Sequence, residues 1–159
     1  MQVGVLFRSW QHRWLPFFAG AVLAGASPWA HAALGDTVQS VAADRMKLHA
    51  TVGQSRTAAA YTVQEMTLPS GTVVREFVSA AGTVFGVAWQ GPAPPDLQQL
   101  LGRYFPNFVS APRGPHGRGY ARTEQGNLVV ENTGHTGAMH GHAYLTDGVP
   151  AGVDPAEIW

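Results

Sequence analysis

His135, His140 and His142 form the one closely spaced group of metal-ligating side chains in the sequence. On a β-strand, residues 140 and 142 point to one face, about 7 Å apart by strand rise. Two imidazoles at that separation can share a divalent ion, with His135 from the preceding loop as a third ligand. Strand alternation also offers a plainer reading. Met139, Ala143 and Leu145 suit a core, so His140, His142 and Tyr144 are expected to face water. No Cys, Asp or Glu nearby completes a ligand set, so a metal held by His135, His140 and His142 is expected to bind weakly. Such binding should disappear as the imidazoles protonate below about pH 6.5. His116 lies in a Gly- and Pro-rich stretch that would hold no ligand geometry.

The other chemistry-bearing types give less. Hydrolysis of a glycoside needs two carboxyls flanking a cleft. Glu65 and Glu76 are the nearest pair, but the strand register places them on opposite faces, and Glu65 has Arg75 as a cross-strand partner. Ser70 and Ser79 sit at turns with no neighbouring His, and no G-x-S-x-G is present. The chain has no Cys, which removes thiol catalysis and thiolate metal sites. Gly114, Gly117 and Gly119 make a Gly-rich stretch without the strand–loop–helix context of a phosphate loop. Arg113, Arg118 and Arg122 could let it touch an anionic glycan or lipid head group, though a solvated loop is the plainer reading. No cofactor is called for, and no catalytic residue stands out.

The elements that must position these residues centre on 60–90. Three runs rich in β-branched and aromatic residues, AYTVQEMTL, TVVREFVS and TVFGVAWQ, are separated by Pro69-Ser70-Gly71 and Ala80-Ala81-Gly82. Three-residue separators ending in Gly match a type I turn followed by a left-handed residue. This predicts an antiparallel meander. Its register sets Glu65 opposite Arg75, Val63 opposite Phe77, Phe77 opposite Phe85, Arg75 opposite Val87 and Val73 opposite Trp89. One face then carries Val63, Val73, Phe77, Phe85, Val87 and Trp89, and is expected to be the main core. The other carries Met66, Leu68, Val74, Val78, Val84 and Ala88, with partial cover. PDLQQLLGRYF reads as a helix, with Pro95 in its first turn, Pro106 as its stop, and Leu97, Leu100, Leu101 and Tyr104 as its stripe. Its expected partner is the aromatic face. Ser40 could cap a short helix through Ala50, with Val41, Leu48 and Val52 at helical spacing. Residues 53–59 and 110–126 read as loops. Asn127 to Asn132 and Ala138 to Leu145 form a second hairpin around 133–137, and the tail after Pro150 is a docked coil or a frayed end.

The ends and composition bound the class. Arg8 and Arg13, the uncharged run from Trp14 to Ala26, and Ala30-His31-Ala32 have the order of a secretory signal. The run is short for a membrane span, which needs about 20 apolar residues. Cleavage is expected between Ala32 and Ala33, leaving one domain over 33–159. Without Arg8 and Arg13, ten acids face eight Lys and Arg. The basic residues are scattered, which argues against nucleic acid and a polybasic membrane surface. No second long apolar segment follows, so no transmembrane span is expected after cleavage. The destination is periplasmic or secreted.

LPSGTVVREFVSAAGTVFGVAWQGP through PDLQQLLGRYF resembles the bacterial family called domain of unknown function 2844. The early ALGD and SVAADR and the late GHAYL and PAGV also resemble it, so the resemblance covers most of the mature chain. It implies a secreted or periplasmic single-domain protein and no assigned activity. The chain departs from the family pattern near its end, where an Arg is expected in place of His142. The fold class expected is α+β: an antiparallel sheet of about five strands, meander plus C-terminal hairpin, with one helix on a face. The function expected is a non-catalytic binding or assembly factor with a protein, glycan or lipid partner in the cell envelope. The alternative is a weak metal-binding protein or small hydrolase using His135, His140 and His142.

Overall fold

Pro69-Ser70-Gly71 and Ala80-Ala81-Gly82 turn the chain as their residue types dictate. Gly71 and Gly82 adopt φ of 84° and 81°, the region in which a side chain would clash. The Leu68 and Ser79 amides donate to the Thr72 and Thr83 carbonyls across these turns. The computed structural model describes residues 34–111 and 120–159. The segment expected to be a secretory signal, with its Ala32–Ala33 junction, lies outside the described residues, as do Arg113, Gly114, His116, Gly117, Arg118 and Gly119.

The meander consists of β2 (Tyr61–Thr67), β3 (Val73–Ser79) and β4 (Val84–Gly91). Its first hairpin has the expected register, with Glu65 opposite Arg75 and Val63 opposite Phe77. The second does not. A bulge at Phe77/Val78 sets Phe77 opposite Gly86, Arg75 opposite Ala88 and Val73 opposite Gln90. One extra residue in a strand reverses the facing of every residue beyond it. Val87 and Trp89 therefore join the Met66, Val74 and Val78 face, and Ala88 joins Phe77 and Phe85.

The sheet has seven strands rather than five. The added edges are β1 (Thr51–Thr57) and β5 (Tyr120–Gln125), which occupy parts of the expected loops 53–59 and 110–126. With β6 (Leu128–His135) and β7 (Ala138–Leu145), the order is β1-β2-β3-β4-β7-β6-β5. Every neighbouring pair is antiparallel. β1 is exposed almost throughout, so the alternation that marks a half-buried strand is missing from TVGQSRT. Val52 belongs to this edge and is exposed, not part of a helix stripe.

Three helices lie on one face: α1 (Val38–Lys47), α2 (Leu97–Leu101) and α3 (Phe105–Ser110), with a 3-10 turn at Gly102–Tyr104. Ser40 does not cap α1. Thr37 holds the cap position without a side-chain bond, and Ser40 is buried inside the helix. Asp96 caps α2, its carboxylate accepting from the Gln99 amide at 3.1 Å. The expected single helix breaks at Gly102, with φ of 48°. Pro106 does not stop it; it sits in the first turn of α3, where no N–H is needed.

Leu100 and Leu101 are fully buried, and Leu97 and Tyr104 pack beside them, as the stripe predicts. Their partner is the face of Met66, Val74, Val78, Val84, Val87 and Trp89, not the expected aromatic face. The bulge explains the change, because it moves Val87 and Trp89 beneath the helices. The opposite face gathers Phe77, Phe85, Ala88, Val129, Tyr144 and Ile158. Ile158 is fully buried after the 3-10 turn Pro155–Glu157, so the tail is docked, not frayed. No helix among the described residues is long and apolar enough to cross a membrane.

Candidate functional site

The tail leaves a hollow on the sheet face it crosses. Strand alternation brings Arg56 from β1, Tyr61 and Val63 from β2, Arg75 and Phe77 from β3 and Gln90 from β4 to that face. With Glu157 and Trp159 from the tail they line a cleft of about 540 Å³. A second hollow of about 240 Å³ shares Arg75, Gln90 and Trp159 with it and reaches His140. The two make one groove running from β1 to β7 beneath Trp159.

Charge in the groove is uneven. Oε2 of Glu65 lies 3.0 Å from Arg75 Nε and 3.6 Å from Arg56 Nη2. Two guanidiniums thus share one carboxylate. Tyr61 donates its hydroxyl to Glu157 at 2.9 Å, and its phenol is held above its ordinary range by burial and by that carboxylate. The Tyr61 ring packs on Phe77 and Phe85 at 5.8 and 5.9 Å. Trp159 is 45% exposed and lines both hollows. The cleft thus sets two guanidiniums, a hydroxyl–carboxylate pair and aromatic rings around one hollow, an arrangement suited to holding a ligand.

The expected Glu65–Arg75 pair is present, and Glu76 is on the opposite face, as the register requires. The sequence reading missed what Glu76 meets there. Asp44 of α1 and Glu76 of β3 are each 1% exposed and lie together under the helix. Asp44 Oδ1 accepts from Gln99 Nε2 at 2.6 Å, while neither Glu76 oxygen has a donor. Burial pushes Asp44 up to about 6 against the pull of the Gln99 hydrogen bond. Burial and then the Asp44 charge hold Glu76 well above the carboxylate range. Two ionised carboxylates cannot share so dry a space. A single proton on Glu76 supplies the O–H that Asp44 can accept. The pair is sealed from solvent between α1 and β3. Asp44 falls four residues after Ser40, the other buried residue of the helix, a helical spacing that could have marked this polar stripe.

The three candidate histidines are not brought together. His135 is exposed at the tight turn, Nδ1 3.0 Å from the Thr136 carbonyl. His140 is half-buried at the far end of the groove. His142 does not face water: it is 4% exposed, stacked on Tyr144 and edge-on to Trp159 at 4.2 Å. Tyr144 is buried too. Alternation assigned both residues to the correct sheet face; the tail covers that face. Burial lowers the His142 pKa, partly opposed by Glu131, whose Oε2 lies 4.0 Å from Nε2. Among the described residues no three His, Cys, Asp or Glu side chains are placed to hold one metal. Arg122 of β5 pairs with Glu124 and Glu131.

A family model described as protein of unknown function (DUF2844) matches residues 30–158. No curated protein and no solved structure matches the chain.

Proposed function

Since the chain belongs to the DUF2844 family of proteins of unknown function, we propose from its own geometry that it is a non-catalytic binding or assembly factor of the cell envelope. Export rests on the segment before Ala33, with its charge, short apolar run and A-x-A. The tail-face groove is the binding surface. The observation that carries this reading is the cleft itself: two arginines sharing one carboxylate, beside aromatic walls and an exposed Trp159. Concave sites with apolar walls and a few convergent polar groups are where small ligands and chain segments bind.

Amide spectra of the 15N-labelled protein test it. Adding an extract of the envelope should shift signals from Arg56, Tyr61, Arg75 and Phe77 and leave those of Val38–Lys47 in place. Shifts confined to residues outside the groove, or chemical turnover of an extract component, would overturn it.

A further inference from the structure

Resting on that reading, we infer that the groove takes a sugar acid. A single carboxylate would sit on Arg56 and Arg75, with the ring against Trp159 and the hydroxyls toward Gln90 and His140. Charge decides the first part. Among the described residues Glu65 is the carboxylate in ion-pair contact with Arg56 and Arg75, while Glu157 lines the cleft farther off, its carboxylate accepting from Tyr61. One further negative charge neutralises the arginine end. Glu157 balances the groove as a whole, so the surplus is local to the arginine end; there a phosphate, close to doubly charged, would overshoot it, and a neutral ligand would leave it to solvent. Arg75 gives Glu65 its Nε, and the outer edge of its fork keeps the paired donors that match a carboxylate. Its side chain is 23% exposed, so the ion pair would be less screened than one at the open surface.

The walls decide the second part. Trp159 is 45% exposed, packs edge-on with His142 and lines both hollows, and the C–H face of a pyranose can lie against the indole there. Farther along, Gln90 and His140 line the groove. A ligand covering them must return hydrogen bonds, because a polar group that loses water without gaining a partner costs about 1–3 kcal/mol. Sugar hydroxyls return those bonds. An aromatic carboxylate satisfies the arginines and Trp159 and leaves Gln90 and His140 unpaired.

Titrations of the 15N-labelled protein with glucuronate and digalacturonate, against glucose, inorganic phosphate and phenylacetate, test the assignment. The uronates should bind, with shifts at Arg56, Arg75 and Trp159, tighter than glucose by about tenfold, the worth of a charge-assisted hydrogen bond, and tighter than phosphate and phenylacetate as well. Arg56→Gln alters an exposed side chain and should weaken uronate binding while leaving the fold intact; Trp159→Ala should weaken it too. Glucose binding as well as glucuronate would overturn the carboxylate role. Phenylacetate or phosphate binding more tightly would overturn the sugar acid. Uronates that fail while envelope extract still shifts the groove would overturn this inference and leave the binding reading standing. Silence from both would remove the binding reading as well.

Discussion

Gly141 of β7 shows how much one missing side chain can do. A Cβ there would stand 2.5 Å from Trp89 Cζ2 and 2.5 Å from the Glu131 carbonyl. The bare backbone is therefore the floor on which the buried Trp89 indole rests. Packed cores absorb an added methyl only by moving side chains off their rotamers, at about 1–3 kcal/mol. The Glu131 carbonyl is backbone and cannot turn aside, so Gly141→Ala should lower stability by at least that amount, read from the urea midpoint with Trp fluorescence. An unchanged midpoint would mean that both the Trp89 indole and the strand carrying the Glu131 carbonyl can give way without cost. Gly86 does the same on the other face. It sits opposite Phe77, and its Cβ would approach Ile158 Cγ2 at 3.0 Å. That absence lets the tail dock, and the docked tail is what encloses His142.

At the scale of elements, the helix face is held by Leu100 and Leu101. Both are fully buried against sheet residues that include Val87 and Trp89. Leu100→Ala should cost about 2–5 kcal/mol in urea unfolding, and a loss below about half a kcal/mol would place the stripe in solvent. The stripe and the first hairpin were legible because each is local: i, i+3, i+4 spacing for one, Pro69-Ser70-Gly71 for the other. The second hairpin was not, because its turn is regular and the irregularity lies inside the strand. Gly86, isolated within TVFGVAWQ, was the available hint, since such glycines mark bulges or close approaches. The edge strand β1 was read as a loop because an uncovered edge carries no burial pattern, and β5 because Thr123, its one buried side chain among the described residues, is polar and leaves no apolar alternation. Half of the candidate site was legible, as Glu65–Arg75 follows from register. Trp159 was not, because a tail crossing a distant sheet face leaves no periodic mark. The Asp44–Glu76 pair joins a helix to a strand by a contact that neither element's pattern encodes.

The whole molecule is a sheet with two unlike covers, and pH acts on them in opposite senses. On the tail face, His142 is held neutral by burial below its ordinary 6.5. As pH falls through that value the unfolded chain takes the proton first, so this group lowers stability toward acid. On the helix face the signs reverse. Asp44 and Glu76 have folded-state pKa values above their ordinary 3.8 and 4.5. Below those ordinary values both states are protonated and the pair costs nothing extra. As pH rises through them the unfolded chain releases protons that the folded chain keeps, so stability falls. The fall begins at about 4, runs through about 6, where Asp44 titrates, and continues for as long as Glu76 keeps its proton. Glu76→Gln separates the two faces. The amide needs no proton and can donate permanently to the Asp44 carboxylate, while His142 is untouched and cancels in the comparison. The variant should match the parent near pH 4 and exceed its stability at pH 7 by on the order of 1–3 kcal/mol. Urea unfolding of both proteins at pH 4, 5, 6 and 7 gives the difference directly. A stability difference that stays flat across that range would show that Asp44 and Glu76 do not hold a common proton beneath α1.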